Sequence, residues 1–475
     1  MIWPIVILVG LTGAEWVVPQ ASLTWIQRLV IALFGASLVG ILFGWWHPPG
    51  PTSTWFFDIV AVIAMLVLWF SEPYLNEEAR QHTWPPSRVR QYQSILLLFI
   101  ASLVAVSLLT NFLYLWMAIE AATLTSVFLV SIPSHKGAIE ASWRYLLVTE
   151  AGGLAALVGT VIALTGMGLP FLEWHSGVVV ASHGIKSSHW ILVGAFMALI
   201  GYATKAGLAP FHTWLPDAHS EAPATISALL SGLKLAGAIL IVFRLFGVLS
   251  QTIGAVDLKD GLIGLGLLSL AVAASFVAFQ TDLKRMWAYS SIEHIGLISL
   301  GMGFGGIALV GALLHVWTHA SSKTLLFQNA GAVRLMYRTS RSDQGAKGLL
   351  SRTPWTGSLL AVGTAAIIGL PPFAPFWSEW LILVGGFLNP SHRIPDVIAM
   401  ALLVVIFCGV VLRIPGWLWT PGKGATKLPR IKESWALLTP NLVLAVFVLG
   451  GGIGVPWLMH PLWHHLVSHL MRSRI

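Results

Sequence analysis

The chain has 475 residues, of which 56% are apolar and only 10% charged, and its mean hydropathy is +0.80. That balance leaves no room for a soluble domain and defines a polytopic membrane protein. A net charge of +8 and a pI of about 9.7 would suggest nucleic acid in a soluble chain, but here the basic residues sit in a few loops and report topology, so no nucleic-acid partner is expected.

In chain order, the run Met1–Val18 lacks a basic start and a small-residue cleavage site, and is expected to be the first span and not a removed signal. Apolar runs then recur, among them Ile95–Leu109, Leu146–Leu164, Trp190–Tyr202, Ile226–Phe246, Leu262–Phe279, Ser358–Leu370, Val397–Leu412 and Leu442–Leu458. Set against a hydrocarbon core of ~30 Å, the whole chain reads as roughly 14 spans. The loops Glu77–Arg90, Arg334–Arg352 and Gly422–Glu433 are basic, as are the connections at His135–Lys136 and Lys284–Arg285, and all fall on one side. The opposite connections, Glu173–Trp190, Ser250–Gly261 and Asn389–Asp396, are nearly neutral. The positive-inside rule therefore predicts cytoplasmic basic loops and both termini outside, in a bacterial inner membrane.

Eight ionisable side chains interrupt the apolar runs: Glu120, Lys205, Lys234, His294, His315, His319, Lys323 and Glu379. Each costs at least ~2.5 kcal/mol at the bilayer centre, and the usual shared reason is a route for protons or ions. Glu120 has no basic partner nearby in sequence, and Lys205 is its natural counter-ion. A carboxylate whose ionisation follows a neighbouring cation suits a proton relay. Lys234 lies mid-span, whereas Arg244, near the end of that span, is expected to snorkel. His315, His319 and Lys323 are spaced four apart and share one helix face, a protonatable file. Two histidines four apart can also ligate zinc. A site needs a third ligand, however, and no His-Glu-x-x-His motif is present, so no metal is expected.

Glu293 either pairs with Lys284 or Arg285 at the interface or joins the relay beside His294. Glu379 would be the exit acid, with Glu150 a further candidate. Glu140 and Arg144 have the spacing of an ordinary helix-surface pair. Asp217, His219 and Glu221 lie between Pro216 and Pro223 in an expected short loop, either a proton-gathering mouth or a solvated connector. The tail with His460, Trp463, His464, His465 and His469 reads as an interfacial amphipathic end.

The stretches Gly207-Leu208-Ala209-Pro210-Phe211 and Gly369-Leu370-Pro371-Pro372-Phe373 each follow an apolar run and precede a tryptophan, Trp214 or Trp377. Lys205 stands just before the first and Glu379 just after the second. Proline breaks a helix, so broken helices are predicted near 205–212 and 369–377, and such interruptions at matching places point to an ion path. Cys408, the single cysteine, is expected as a small core residue and can make neither an internal disulfide nor an iron–sulfur cluster. With no Walker A loop, and with Gly301–Gly306 lacking the strand of a dinucleotide site, no cofactor and no redox site of its own are expected.

Tyr202–His219, Lys234 with Arg244, Tyr289–Gly296, and His315-x3-His319-x3-Lys323 together resemble the antiporter-like membrane subunits of respiratory complex I and the group 4 hydrogenases. The likeness runs from about Glu120 to Glu379, and Glu293 before His294 is most like the hydrogenase-4 component F branch. The resemblance implies an all-α protein of about 14 transmembrane helices in two inverted five-helix repeats. It pairs Lys205 with Glu120, makes Lys234 and the histidines a central relay, and puts Glu379 in the second broken helix. On that pattern residues 1–91 are N-terminal helices, 92–246 and 261–419 the two repeats, and 434–475 the last helix and tail. The chain continues only briefly past the last expected span, so the long lateral helix of the largest complex I subunit is not expected. The implied role is translocation of protons, with sodium the alternative ion, driven by electron transfer in partner membrane and soluble subunits. Subunits of cation/proton antiporters and of inorganic-carbon uptake complexes are the alternatives.

Overall fold

The computed structural model describes residues 3–17, 23–81, 84–173, 175, 189–250, 255–419 and 429–458. Lys423, Lys427 and the tail bearing His460, Trp463, His464, His465 and His469 lie outside the described residues. Within them the chain is helical, with no strand. Hydrocarbon offers no hydrogen bonds, so an apolar chain must satisfy its backbone internally, and helices do this segment by segment.

The helices are, in order, α1 (Trp3–Val17), α2 (Leu23–Leu42), α3 (Pro51–Gln81), α4 (Pro86–Leu108), α5 (Phe112–Ser131), α6 (Lys136–Gly166), α7 (His189–Ala206), α8 (Trp214–Glu221), α9 (Ala224–Leu229) and α10 (Leu235–Leu249). There follow α11 (Ala255–Phe276), α12 (Leu283–Phe304), α13 (Gly306–Tyr337), α14 (Leu349–Arg352), α15 (Pro354–Ile367), α16 (Ala374–Leu388), α17 (Arg393–Arg413), α18 (Pro415–Leu418) and α19 (Trp435–Leu458). Among the described residues ten helices are long and apolar enough to cross a bilayer, and the apolar segments Pro4–Trp16 and Ala374–Leu388 are shorter. α12 and α13 fall outside that set because they carry much of the polar file, Glu293 and His294 on one, His315, His319 and Lys323 on the other. The protein is therefore a multi-pass membrane protein.

α9 and α10 form one continuous rod, Ala224–Leu249, joined by a π-helical turn at Leu230–Lys234. Its apolar stretch is wholly buried in protein, whereas that of Pro390–Leu418 is only 28% buried. A helix that is apolar all round and enclosed marks the core. The π turn places Lys234 in that core.

The two predicted breaks close in the same way. α7 ends with Gly207 at φ +76°, its N–H bonding Thr204 O and that of Leu208 bonding Ala203 O. α15 ends with Gly369 at φ +69°, its N–H bonding Ala366 O and that of Leu370 bonding Ala365 O. Both are Schellman closures, which need a left-handed residue that glycine supplies without strain. The chain then turns back identically, Phe211 N–H to Leu208 O and Phe373 N–H to Leu370 O.

Three sequence expectations change. The bracketed segment at 214–221 is helix α8, because Pro216 lies in its first turn, where no helical acceptor awaits an N–H. Arg244 does not snorkel. It is only 4% exposed, and its guanidinium donates to Leu109 O (2.7 Å), Ser107 O (3.1 Å), Val106 O (3.3 Å) and Ser53 Oγ (2.8 Å). It thereby satisfies carbonyls left open where α4 ends. Cys408 is exposed on α17 and is not a core residue.

Candidate functional site

Seven of the eight predicted ionisable side chains are buried, and Glu379 is partly so. They form two clusters, one at each break. In the first, α5 supplies Glu120 and α7 supplies Lys205, and Lys205 Nζ donates to Glu120 Oε2 at 2.6 Å and Thr123 Oγ1 at 3.3 Å. Glu150, on α6, approaches the same amine at 3.9 Å, so one cation faces two acids. Gly153 makes this possible: a Cβ there would lie 2.0 Å from Glu120 Oε1 and 2.9 Å from Lys205 Nζ.

Lys234 stands behind this cluster. Its Nζ donates to the carbonyl of Lys205 at 3.0 Å and lies 4.4 Å from the Trp214 ring centroid and 5.1 Å from that of Tyr145. That carbonyl is available because α7 stops at Ala206. Among the described residues two aromatic faces and one carbonyl hold the amine with no direct carboxylate partner, a weaker grip than the Lys205–Glu120 pair.

The second cluster joins α12, α13 and α16. His294 Nδ1 and His315 Nε2 are 2.9 Å apart, so they share a proton, and His315 Nδ1 bonds Ser378 Oγ at 2.9 Å. Glu379 Oε1 lies 4.0 Å from His294 Nδ1, and Glu293 Oε2 lies 3.8 Å from His294 Nε2. The His319 ring centroid is 5.6 Å from that of His294. Lys323 Nζ donates to Trp287 O at 2.9 Å. Glu379 folds over the second break, where a Cβ on Gly369 would lie 2.2 Å from Oε2. A cavity of about 350 Å³ reaches both Glu293 and Glu379, with Trp380 and Val404 exposed along its lining.

Glu293 is therefore not an interface partner of Lys284 or Arg285. It is buried with Ser290 and His294, while Lys284 donates to the carbonyls of Ser220 and Ala222, and Arg285 pairs with Asp217 at 3.2 Å. Asp217 also meets Arg144 (2.9 Å), which holds Glu140 at 2.5 Å as the spacing predicted. Glu221 is 3.8 Å from His135. These groups form an ionic rim below the first cluster.

His219 is the residue the sequence reading misplaced. It is fully buried on α8, stacked on Phe327 at 5.1 Å, and near enough to Lys234, Lys323 and His319 to interact with each electrostatically. Among the described residues no direct hydrogen bond joins the two clusters, and His219 is near members of both. The sequence set it among the polar residues Asp217, Ser220 and Glu221, which gave no local sign that its side chain alone turns inward. Gly153 and Ser378 were also missed. Each is a small residue adjoining a charged or close-packed one, a pattern with many causes in membrane helices.

Residues 110–412 match the model of the "NADH:quinone oxidoreductase/Mrp antiporter, TM" family. The hydrogenase-4 component F homolog of Methylacidiphilum infernorum (isolate V4) is 36% identical over 77% of this chain and 78% of its own length. Hydrogenase-4 component B of Escherichia coli (strain K12) is 31% identical over 60% of this chain, which spans 43% of that longer protein. A chain of the membrane-bound sulfane sulfur reductase, an archaeal respiratory membrane complex, superposes with a TM-score of 0.84 at 22% identity, covering 99% of this chain and 96% of that one, and so shares its fold. The chain belongs to the NADH:quinone oxidoreductase/Mrp antiporter transmembrane family.

Proposed function

We propose that this chain is a proton-translocating membrane subunit of a multisubunit, redox-driven complex of the hydrogenase-4 or NADH-quinone oxidoreductase type. The observation that carries the reading is the meeting of Lys205 and Glu120 at the first break, matched by the His294–His315–Glu379 group at the second. Protons would load at Lys205 and Lys234, cross by His219 and Lys323 to His319, pass along His294 and His315, and leave by Glu379. The cytoplasmic rim of Arg144, Asp217 and Arg285 fits an entrance on the basic side. In this reading both termini lie outside, in a bacterial inner membrane, and 92–246 and 261–419 are inverted five-helix units. The matched closures at Gly207 and Gly369 support that division.

Protons suit this path better than sodium. A hard cation such as sodium favours oxygen ligands, whereas the path is built mainly from amines and imidazoles. The electron donor and acceptor would reside in partner subunits. The test is proton uptake into vesicles that contain the assembled complex. Lys205→Ala is expected to abolish uptake while partner subunits still co-purify, and unchanged uptake would overturn the assignment.

A further inference from the structure

The sequence argued against a metal because His315 and His319 lacked a third ligand; the fold supplies a different trio. His294, His315 and Glu379 come from three helices, and their ligating atoms all lie within 4.8 Å of one another. We propose that these three residues form a regulatory site for a divalent transition ion of the zinc class, and that filling it halts proton passage. The second half of that statement rests on the relay reading above.

The donor set is that of a zinc site with one open position, two imidazoles and a carboxylate. Ligand bonds of about 2.0–2.1 Å place tetrahedral donors about 3.3 Å apart. His294 Nδ1 and His315 Nε2 stand at 2.9 Å and His294 Nδ1 and Glu379 Oε1 at 4.0 Å. Shifts of well under an ångström in the histidines and of somewhat more in the Glu379 carboxylate accommodate an ion.

One outer partner is in place and a second stands close by. A ligating histidine usually gives its other ring nitrogen to an oxygen acceptor, which fixes tautomer and orientation. His315 Nδ1 meets Ser378 Oγ at 2.9 Å, whereas His294 Nε2 stands 3.8 Å from Glu293 Oε2, so that a shift of under an ångström in that carboxylate would complete the second contact.

Blocking follows from valence. The lone pairs that would take the ion are those between which the shared proton moves, so the ion displaces that proton and removes the acceptor. The cavity of about 350 Å³ that touches Glu379 provides space beside the trio for the fourth ligand.

The probe is Co²⁺ titrated into the full chain in lipid nanodiscs, with His460, His464, His465 and His469 replaced by Asn so that the tail cannot bind. One ion per chain is expected, with the intense visible bands of four-coordinate Co²⁺, displaced by Zn²⁺. His294→Asn or His315→Asn should remove the bands, Ser378→Ala should weaken binding by about tenfold or more, and His319→Asn should leave both unchanged. Absent bands, or bands that survive both His294→Asn and His315→Asn, would overturn the site. Zn²⁺ should also stop proton uptake by the assembled complex in vesicles. Bands with undiminished uptake at saturating Zn²⁺ would overturn the blocking role and count against the relay. Absent bands together with loss of uptake in Lys205→Ala would overturn the site and leave the relay standing.

Discussion

At the scale of single residues, the charged groups and the uncharged ones that admit them behave differently. Lys205 and Glu120 were legible because a lone charge in hydrocarbon is costly enough to need a reason. Gly153 was not, because glycine is common in membrane helices for several reasons. Yet its missing side chain leaves the space in which the pair forms. Gly153→Ala is therefore expected to cost about 1–3 kcal/mol of strain and to push Glu120 off Lys205 with no change in net charge. Proton uptake should fall sharply although the protein accumulates normally, and wild-type uptake in vesicles would contradict this. Glu150 has a similar lesson: its sequence gave only a second-rank acid, but a third helix carries it to 3.9 Å from the same amine.

For whole elements, the two broken helices were predictable, since proline and glycine dictate backbone geometry locally. The π turn at Leu230–Lys234 was not, because its sequence, Leu-Ser-Gly-Leu-Lys, carries no local signal that distinguishes it from ordinary helix. Arg244 failed for a related reason. A snorkelling arginine and one that caps a neighbouring helix occupy the same place in a sequence, near the end of an apolar run. Only the packing of α4 against α10 decides between them. Arg244→Met keeps the bulk and removes the donors, leaving the carbonyls of Val106, Ser107 and Leu109 without this partner. The expected loss is about 1–3 kcal/mol, seen as a lower unfolding temperature in detergent. An unchanged temperature would mean that the α4 end is satisfied in another way.

Across the molecule, sequence spacing could list the members of the proposed path but not their order, which depends on helices far apart in the chain. The proposed order sets His219 between the halves, and α8 brings it near Lys234 as well as Lys323 and His319. His219→Phe should pack against Phe327 and preserve the fold while removing the only imidazole in that gap among the described residues. Uptake is expected to slow by about tenfold or more, with the complex intact on size exclusion; normal rates would show that the halves communicate elsewhere. One further consequence follows from the residue at the end of α7. Lys205 gives its ammonium to Glu120 and its own carbonyl to Lys234. A single peptide unit is thus tethered to both amines. Any tug that swings the Lys205 main chain alters the footing of Lys234 in the same instant, like a rocker with a load at either end.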